Sequence, residues 1–176
     1  MPNPEEILLK AKEIRLIALD VDGVLTDGGI GFLSNGDEIK FFNAKDGQGL
    51  AMASRAGIPV ALITARQSVM NERRAAELGI AYVFQNAKKK LPVLENLLLE
   101  LNLTAQQVAY MGDDLPDIPV LEAVGLPSCP ADAVIEVQTV CRNGFIAPHL
   151  GGQGAVRALI DLILQARQEP ITLSPP

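Results

Sequence analysis

Asp20 and Asp22 stand two residues apart at the end of an apolar run, Leu16 to Leu19, in the phrase DVDGVLTDG. Acids at i and i+2 on a strand end can offer a hard cation one carboxylate and one backbone carbonyl, and Gly23 lets the chain turn sharply away. A pair of acids that merely caps a loop has the same appearance. Three other stretches change that weighting. The run Ile58 to Ile63 ends at Thr64-Ala65-Arg66, where a hydroxyl and free N–H groups can hold anionic oxygens or cap the following helix. The run Val108 to Met111 ends at Gly112-Asp113-Asp114, with Asp117 three residues on. Acids gathered about one turn repel each other at neutral pH unless a cation neutralises them, and Mg2+ does so through oxygen ligands and retained waters. Finally, Lys88, Lys89 and Lys90 precede a helix opening at Leu91-Pro92. One of them can pair with both a carboxylate and a phosphoryl group. Spacing does not say which, and three lysines in a row also suit a solvated face.

Together these residues suit transfer of a phosphoryl group through an enzyme carboxylate. Asp20 attacks phosphorus in line. Asp22 protonates the leaving alkoxide and then activates water. Mg2+, Thr64 and a lysine, Lys90 the one next to the helix, spread the negative charge of the group in transit.

Such chemistry needs several strand ends at one rim. The runs at Leu16–Leu19, 58–63, 80–84 and 108–111 alternate with helical patterns over about 47–56, 68–78, 91–101 and 117–124, and Thr104 caps a brief turn before the last of these strands. Alternation of this kind predicts βαβ units: an α/β, three-layer, Rossmann-like fold with a mostly parallel sheet. Ligands of such sheets gather outside the carboxyl ends of the strands. Residues 29–42, GIGFLSNGDEIKFF, read as a β-hairpin inserted after the first strand, with Asn35-Gly36 as its turn. Gly151-Gly152-Gln153-Gly154 opens a last helix over about 155–168. With neither a repeat nor a linker, the reading is one domain over 1–168 and a flexible tail, EPITLSPP, over 169–176.

Composition narrows the partners. The 176 residues are 48% hydrophobic and 20% charged, as a globular chain is. A net charge of -6, 4% aromatic residues and no Trp argue against nonspecific nucleic-acid binding, so an anionic substrate needs a local positive site. No apolar run approaches the ~20 residues of a membrane helix, and MPNPEEILLKAKEIR lacks the apolar core of a signal peptide, which predicts a cytoplasmic protein. Cys129 and Cys141 lack metal-type spacing and read as buried thiols. With His149 as the one histidine, a His-rich metal site is excluded and a Ser-His-Asp triad is hard to build. There is no Walker A loop and no GxGxxG after the first strand, so nucleotide cofactors are not expected.

The set DVDGVLTDG, ITAR, the lysine region and GDDLPD resembles the haloacid dehalogenase (HAD) superfamily. FNAKDGQGL at Phe41–Leu50 and GGQGAVR at Gly151–Arg157 resemble one branch, the 3-deoxy-D-manno-octulosonate 8-phosphate (KDO 8-phosphate) phosphatases. The resemblance runs from about Ala11 to Ala166. It implies a HAD-type fold without a large cap domain. It also implies Mg2+ on Asp20, the Asp22 carbonyl and Asp113, with Asp114 and Asp117 behind them or bracing the loop. Among the lysines it selects Lys90. Substrate contacts then fall on Asp22, Asn43, Ala44, Lys45, Asp46, Gly47, Ala51, Arg66, Arg74 and Lys90. Arg66 and Arg74 suit a sugar-acid carboxylate, which guanidinium grips bidentately; Arg74 reads equally as a surface residue of the helix NERRAAEL.

The branch further implies a homotetramer in which hairpins meet and each site is roofed by a neighbour and its tail. Ile30, Phe32, Ile39, Phe41 and Phe42 would otherwise expose apolar faces, and a capless site needs something to exclude water. The chain departs from the pattern in having Ala65 where Gly is usual, Ala158 where an acid is common, and a segment Val137–Leu150 about two residues longer. His149 in that segment reads as a loop residue or as one reaching a neighbour's pocket. The function implied is hydrolysis of KDO 8-phosphate in lipopolysaccharide core synthesis. The alternatives are a phosphatase of nine-carbon 2-keto-3-deoxy sugar-acid 9-phosphates, which Arg66, Arg74, the hairpin and the tail would decide, and an inactive scaffold subunit, which loss of Asp20, Asp22 or Asp113 would have signalled.

Overall fold

The computed structural model describes residues 3–168; the tail predicted over 169–176 lies outside the described residues. At the centre is β1 (Leu16–Leu19), buried at every position. It pairs in parallel with β4 (Val60–Ile63) on one side and β6 (Val108–Met111) on the other, with Leu19 opposite both Leu62 and Met111. β5 (Tyr82–Phe84) extends the sheet beyond β4, and β7 (Leu126–Cys129) and β8 (Phe145–Ile146) extend it beyond β6, giving the order β5-β4-β1-β6-β7-β8 with all neighbours parallel.

Both faces of the sheet are covered, so the central strands are apolar runs and not alternating ones. Ile17 and Leu19 pack under α1 (Pro4–Lys12), α2 (Ala44–Arg55) and α7 (Ala155–Ala166), with α3 (Val69–Leu78) joining through Ala75. Leu16 and Ala18 point the other way, under α4 (Lys90–Leu101), α5 (Ile118–Ala123) and α6 (Ile135–Val140). The result is the three-layer α/β arrangement the sequence predicts, without a large cap among the described residues. After β1 the chain runs out to β4 and β5, then returns to β6 on the far side of β1. That reversal makes a topological switch point, and the carboxyl ends of β1, β4 and β6 open onto one crevice.

The hairpin after β1 is β2 (Gly31–Phe32) against β3 (Glu38–Ile39). Its connection is wider than a two-residue turn: Leu33 N–H donates to Asp37 O at 2.8 Å and Gly36 N–H to Leu33 O at 2.9 Å. Several boundaries differ from the sequence reading for local reasons. α2 begins at Ala44 because the Asn43 side chain caps it, accepting from Lys45 N–H at 2.8 Å. β4 and β5 begin at Val60 and Tyr82, later than their apolar runs do. β7 was not predicted, since Pro127 and Ser128 interrupt its apolar character; Ser128 Oγ is satisfied by donating to Tyr110 O at 2.7 Å. α6 and the two-residue β8 occupy the longer segment before the last helix. α1, also unpredicted, buries only Ala11, but it carries a start signal in Asn3 and Pro4.

Candidate active site

Asp20 leaves β1 nearly buried, 8% exposed. Its Oδ1 accepts from Val21 N–H at 2.7 Å, and its Oδ2 lies 2.7 Å from Lys90 Nζ. Lys90 is the first residue of α4. Helix phase turns it inward while Lys88 and Lys89 are exposed, which separates the lysines that spacing could not. Its ammonium also meets Asp117 Oδ1 at 2.7 Å, and its side chain is 2% exposed. Asp117, fully buried, uses both oxygens: Oδ1 also accepts from Tyr110 OH at 2.5 Å, and Oδ2 accepts from Asp113 N–H at 3.1 Å and Asp114 N–H at 3.3 Å. Asp114 is exposed and caps the turn after it, accepting from Leu115 N–H at 2.8 Å. Thr64, 1% exposed, directly follows β4 and its Oγ1 accepts from Arg66 N–H at 3.3 Å. Gly23 comes so close to Asp113 that a Cβ there would stand 2.0 Å from Asp113 Oδ2, so only glycine lets the two loops approach.

Asp20, Asp22, Thr64, Arg66, Lys90, Asp113, Asp114 and Asp117 line one cavity of about 270 Å3. The other predicted residues lie elsewhere. Arg74 lines a neighbouring cavity of about 270 Å3 with Lys40, Phe42 and Arg73; it pairs with Glu77 at 2.8 Å and sits 5.8 Å from the centre of the Phe42 ring. Asn43 caps α2, Ala44, Lys45, Asp46 and Gly47 form its first turn and Ala51 lies further along it; Ala44 and Lys45 are exposed and Asp46 is 1% exposed. His149 is exposed and lies beside Gly154.

Sequence reasoning missed three residues. Lys40, just after β3, places Nζ 2.6 Å from Asp22 Oδ1 with its side chain 2% exposed. Glu38 accepts from Arg66 Nη2 at 3.1 Å and from Ser68 Oγ. Tyr110 underlies Asp117. Glu38 and Lys40 are two apart in a segment read as one arm of the hairpin, where alternate residues share a face, and that was the signal available. Tyr110 stood in an apolar run and read as core.

The charges do not balance. Burial, then Asp20 and Asp117, push the Asp113 carboxyl up to about 7. Burial pushes Asp20 up to about 6 although Lys90 opposes it. Burial also works against the Lys90 ammonium, but Asp20 and Asp117 outweigh it and raise its pKa. Desolvation, with Asp117 beside it, holds the Tyr110 hydroxyl well above its usual range, so it remains a donor. Asp22 Oδ2 and Asp113 Oδ1 are buried and accept no hydrogen bond. Asp20, Asp113 and Asp117 each offer an oxygen within 4.8 Å of the others. Asp117 is saturated by four donors, whereas each Asp20 oxygen has one partner and Asp113 Oδ1 has none, so Asp20 and Asp113 are the carboxylates best able to take a hard cation, and Asp117 braces them.

Among the described residues no helix is long and apolar enough to cross a membrane, and Cys129 and Cys141 are free and buried.

No family model matches the chain. The 3-deoxy-D-manno-octulosonate 8-phosphate phosphatase KdsC of Escherichia coli K12 is 43% identical over 166 residues, covering 94% of this chain and 87% of the relative. The crystal structure of the phosphatase of that name from Yersinia pestis superposes with a TM-score of 0.91 at 40% identity, covering 94% of this chain and 88% of that one. The one from Moraxella catarrhalis, in complex with a magnesium ion, a phosphate ion and a KDO molecule, superposes with a TM-score of 0.90 at 41% identity, covering 93% of each chain. With its acids and lysine joined at one switch point and its length shared with these relatives, the chain belongs to the 3-deoxy-D-manno-octulosonate 8-phosphate phosphatase family of the HAD superfamily.

Proposed function

We propose that the chain hydrolyses KDO 8-phosphate to KDO and phosphate through a phospho-aspartate on Asp20. The observation that carries this reading is the Lys90 ammonium lying 2.7 Å from both Asp20 and Asp117 at the floor of a cavity that Arg66 overlooks. A buried carboxylate cannot approach a phosphate dianion unless fixed cations lower the repulsion, and Lys90 is one such cation.

An Asp20 oxygen forms a bond to phosphorus as the ester P–O bond breaks. Asp22 gives its proton to the leaving alkoxide. Water then attacks the same phosphorus, Asp22 takes the water's proton, and phosphate leaves as the Asp20 carboxylate is restored. Thr64 holds a phosphoryl oxygen through its hydroxyl, and Lys90 keeps Asp20 in place between steps. The orphaned, buried Asp113 Oδ1 and the raised pKa values of Asp113 and Asp20 fit a Mg2+ ion held by those two carboxylates and the Asp22 carbonyl. When bound, Mg2+ supplies the second positive charge against which the phosphoryl group and its transition state are stabilised.

Arg66, which lines the cavity, grips the sugar-acid carboxylate, with Arg74 of the neighbouring cavity as a second contact. The chain works in the cytoplasm, in lipopolysaccharide core synthesis, and residues 1–168 act as one domain. Four copies assemble through the hairpin, whose Ile30, Phe32 and Phe41 are 51%, 67% and 77% exposed in one copy.

The test is phosphate release from KDO 8-phosphate, a nine-carbon sugar-acid 9-phosphate and p-nitrophenyl phosphate, with Mg2+ and with EDTA. The proposal expects a Mg2+-dependent kcat/KM highest for KDO 8-phosphate. A higher value for the nine-carbon ester moves the substrate, and no Mg2+-dependent release from any ester overturns the reading.

A further inference from the structure

The phrases DGQGL and GGQGAVR, more than a hundred residues apart, meet in space. Asp46, in the first turn of α2, points its buried carboxylate at the start of α7. Oδ2 accepts from Gly154 N–H at 3.1 Å and Oδ1 from Arg157 N–H at 2.8 Å. α7 has no capping side chain of its own, so Asp46 serves as its cap from another helix, where a carboxylate also suits the positive end of the helix dipole. Gly49 lets α2 and α7 approach, since a Cβ there would stand 3.0 Å from the Arg157 side chain.

The turn at 151–154 is thereby fixed, and it presses on the loop that carries Asp20 and Asp22. Gly152 N–H donates to Val24 O at 2.9 Å. A Cβ on Gly151 would stand 1.9 Å from Gly23 O, and Gly23 in turn lies over Asp113. Asn43 adds a second tie from α2, donating from Nδ2 to Gly152 O at 3.1 Å, and Asp132 a third, accepting from Gly151 N–H at 2.9 Å. A continuous chain of contacts thus runs from Asp46 and Asn43 through the 151–154 turn to Gly23 and Asp113.

We infer that Asp46 and Asn43 are positioning residues: they hold the 151–154 turn as the back wall of the loop bearing Asp20 and Asp22, and neither side chain recognises the sugar. The Asp46 carboxylate is spent on two backbone amides beneath α7, and its residue is 1% exposed. The inference rests on the phosphatase reading above, and it assigns to these residues work that differs from the substrate contact which the family resemblance implies.

The test compares wild type, Asp46→Asn and Asn43→Ala on p-nitrophenyl phosphate, which has no sugar acid to contact, and on KDO 8-phosphate. Hydrogen exchange of amides 21–28 is followed alongside. Positioning predicts that kcat falls about tenfold to a hundredfold on both esters for Asp46→Asn, with KM within about twofold, because a small misplacement of the reacting groups is felt in the chemical step. Asn43→Ala, at a partly exposed residue, removes the tie to Gly152 and the cap on Lys45 N–H, and shows the same pattern at about threefold to tenfold. Exchange at 21–28 rises in both, while that of β4 stays unchanged. Should Asp46→Asn fail to fold, Asn43→Ala decides alone. A rise in KM confined to KDO 8-phosphate, or unchanged kcat per folded molecule with unchanged exchange at 21–28, overturns the inference. Absence of phosphatase activity in wild type would sink the reading beneath it instead, and the exchange data would still report on the wall.

Discussion

Lys90 and Arg66 both set a cation beside an acid of the DVDG loop, and they are held in opposite ways. Lys90 has a side chain 2% exposed, sits on the first residue of a helix and is pinned between two buried carboxylates. Arg66 is 40% exposed at its side chain, 3.7 Å from Asp22 and 3.1 Å from Glu38 on the inserted hairpin. The phosphoryl half of the cavity is thus built from the core outward, with strand ends, a helix start and backbone amides fixing each group. The half around Arg66, which we propose recognises the sugar acid, is built from long side chains and an insertion whose apolar residues face solvent in one copy. Chemistry common to a superfamily belongs on the rigid rim, and specificity belongs on parts that a neighbour or a substrate can still order.

The largest effect should come from the core half. Asp20→Asn removes the proposed nucleophile and should lower kcat on the order of 10^4-fold or more, measured as phosphate release at saturating ester. Retention of even a tenth of wild-type turnover would mean that another group attacks. Lys90→Ala comes next, with a loss of about 10^2 to 10^3-fold in kcat. It also strands Asp20 and Asp117 as buried, unpaired acids, so it should unfold at markedly lower urea than wild type, by about 3–5 kcal/mol. A Lys90→Ala protein as stable as wild type would show that the buried network is not what fixes the rim.

Arg66→Ala sharpens the contrast from the other side. It should raise KM for KDO 8-phosphate about tenfold to a hundredfold, leave KM for p-nitrophenyl phosphate within about threefold, and hardly move the melting temperature. Equal losses on both esters would place Arg66 in the chemistry rather than in recognition.

A pH series reads the acid excess of the core half directly. Asp20 and Asp113 are held near 6 and 7 against an ordinary 3.8, so the folded chain keeps protons that the unfolded chain releases. Their contribution to stability is complete below about pH 4 and is lost as pH rises through 6 and 7, so the metal-free melting temperature should decline across that window. Mg2+ displaces those protons, and its stabilising shift should therefore be larger near about pH 8 than near about pH 5. A Mg2+ shift independent of pH would mean that these carboxylates do not bind it. The smallest effect should be that of Tyr110→Phe. It removes one hydrogen bond to Asp117, costs about 1 kcal/mol of stability and lowers kcat by a few fold, which thermal melts and steady-state rates would detect.

The same division explains what the sequence made legible. The placement of Asp20, Thr64 and Asp113 on one rim could be read because a buried parallel strand announces itself as an apolar run and its polar end residue follows at once. Lys90 needed helix phase, which spacing among three lysines does not contain. Lys40 and Glu38 matter because the hairpin folds back over the DVDG loop, a tertiary event that their alternation only hinted at. The contacts of Asp46 and Asn43 were the least legible. A side chain that accepts from backbone amides over a hundred residues away leaves no periodic mark, so the phrase DGQGL could be associated with a family but not explained. β7 hid behind Pro127, and α1 behind a nearly even mix of charges.

The most direct measurement is chemical trapping of the acyl-phosphate. Enzyme turning over KDO 8-phosphate with Mg2+ is quenched and treated with borohydride, which reduces an aspartyl phosphate to an alcohol, and the peptide spanning β1 is weighed by mass spectrometry. A phospho-aspartate mechanism predicts reduction at Asp20 only when both ester and Mg2+ are present, and its loss in Asp20→Asn. Sustained phosphate release with Asp20 unmodified, or with reduction at another acid, would contradict it.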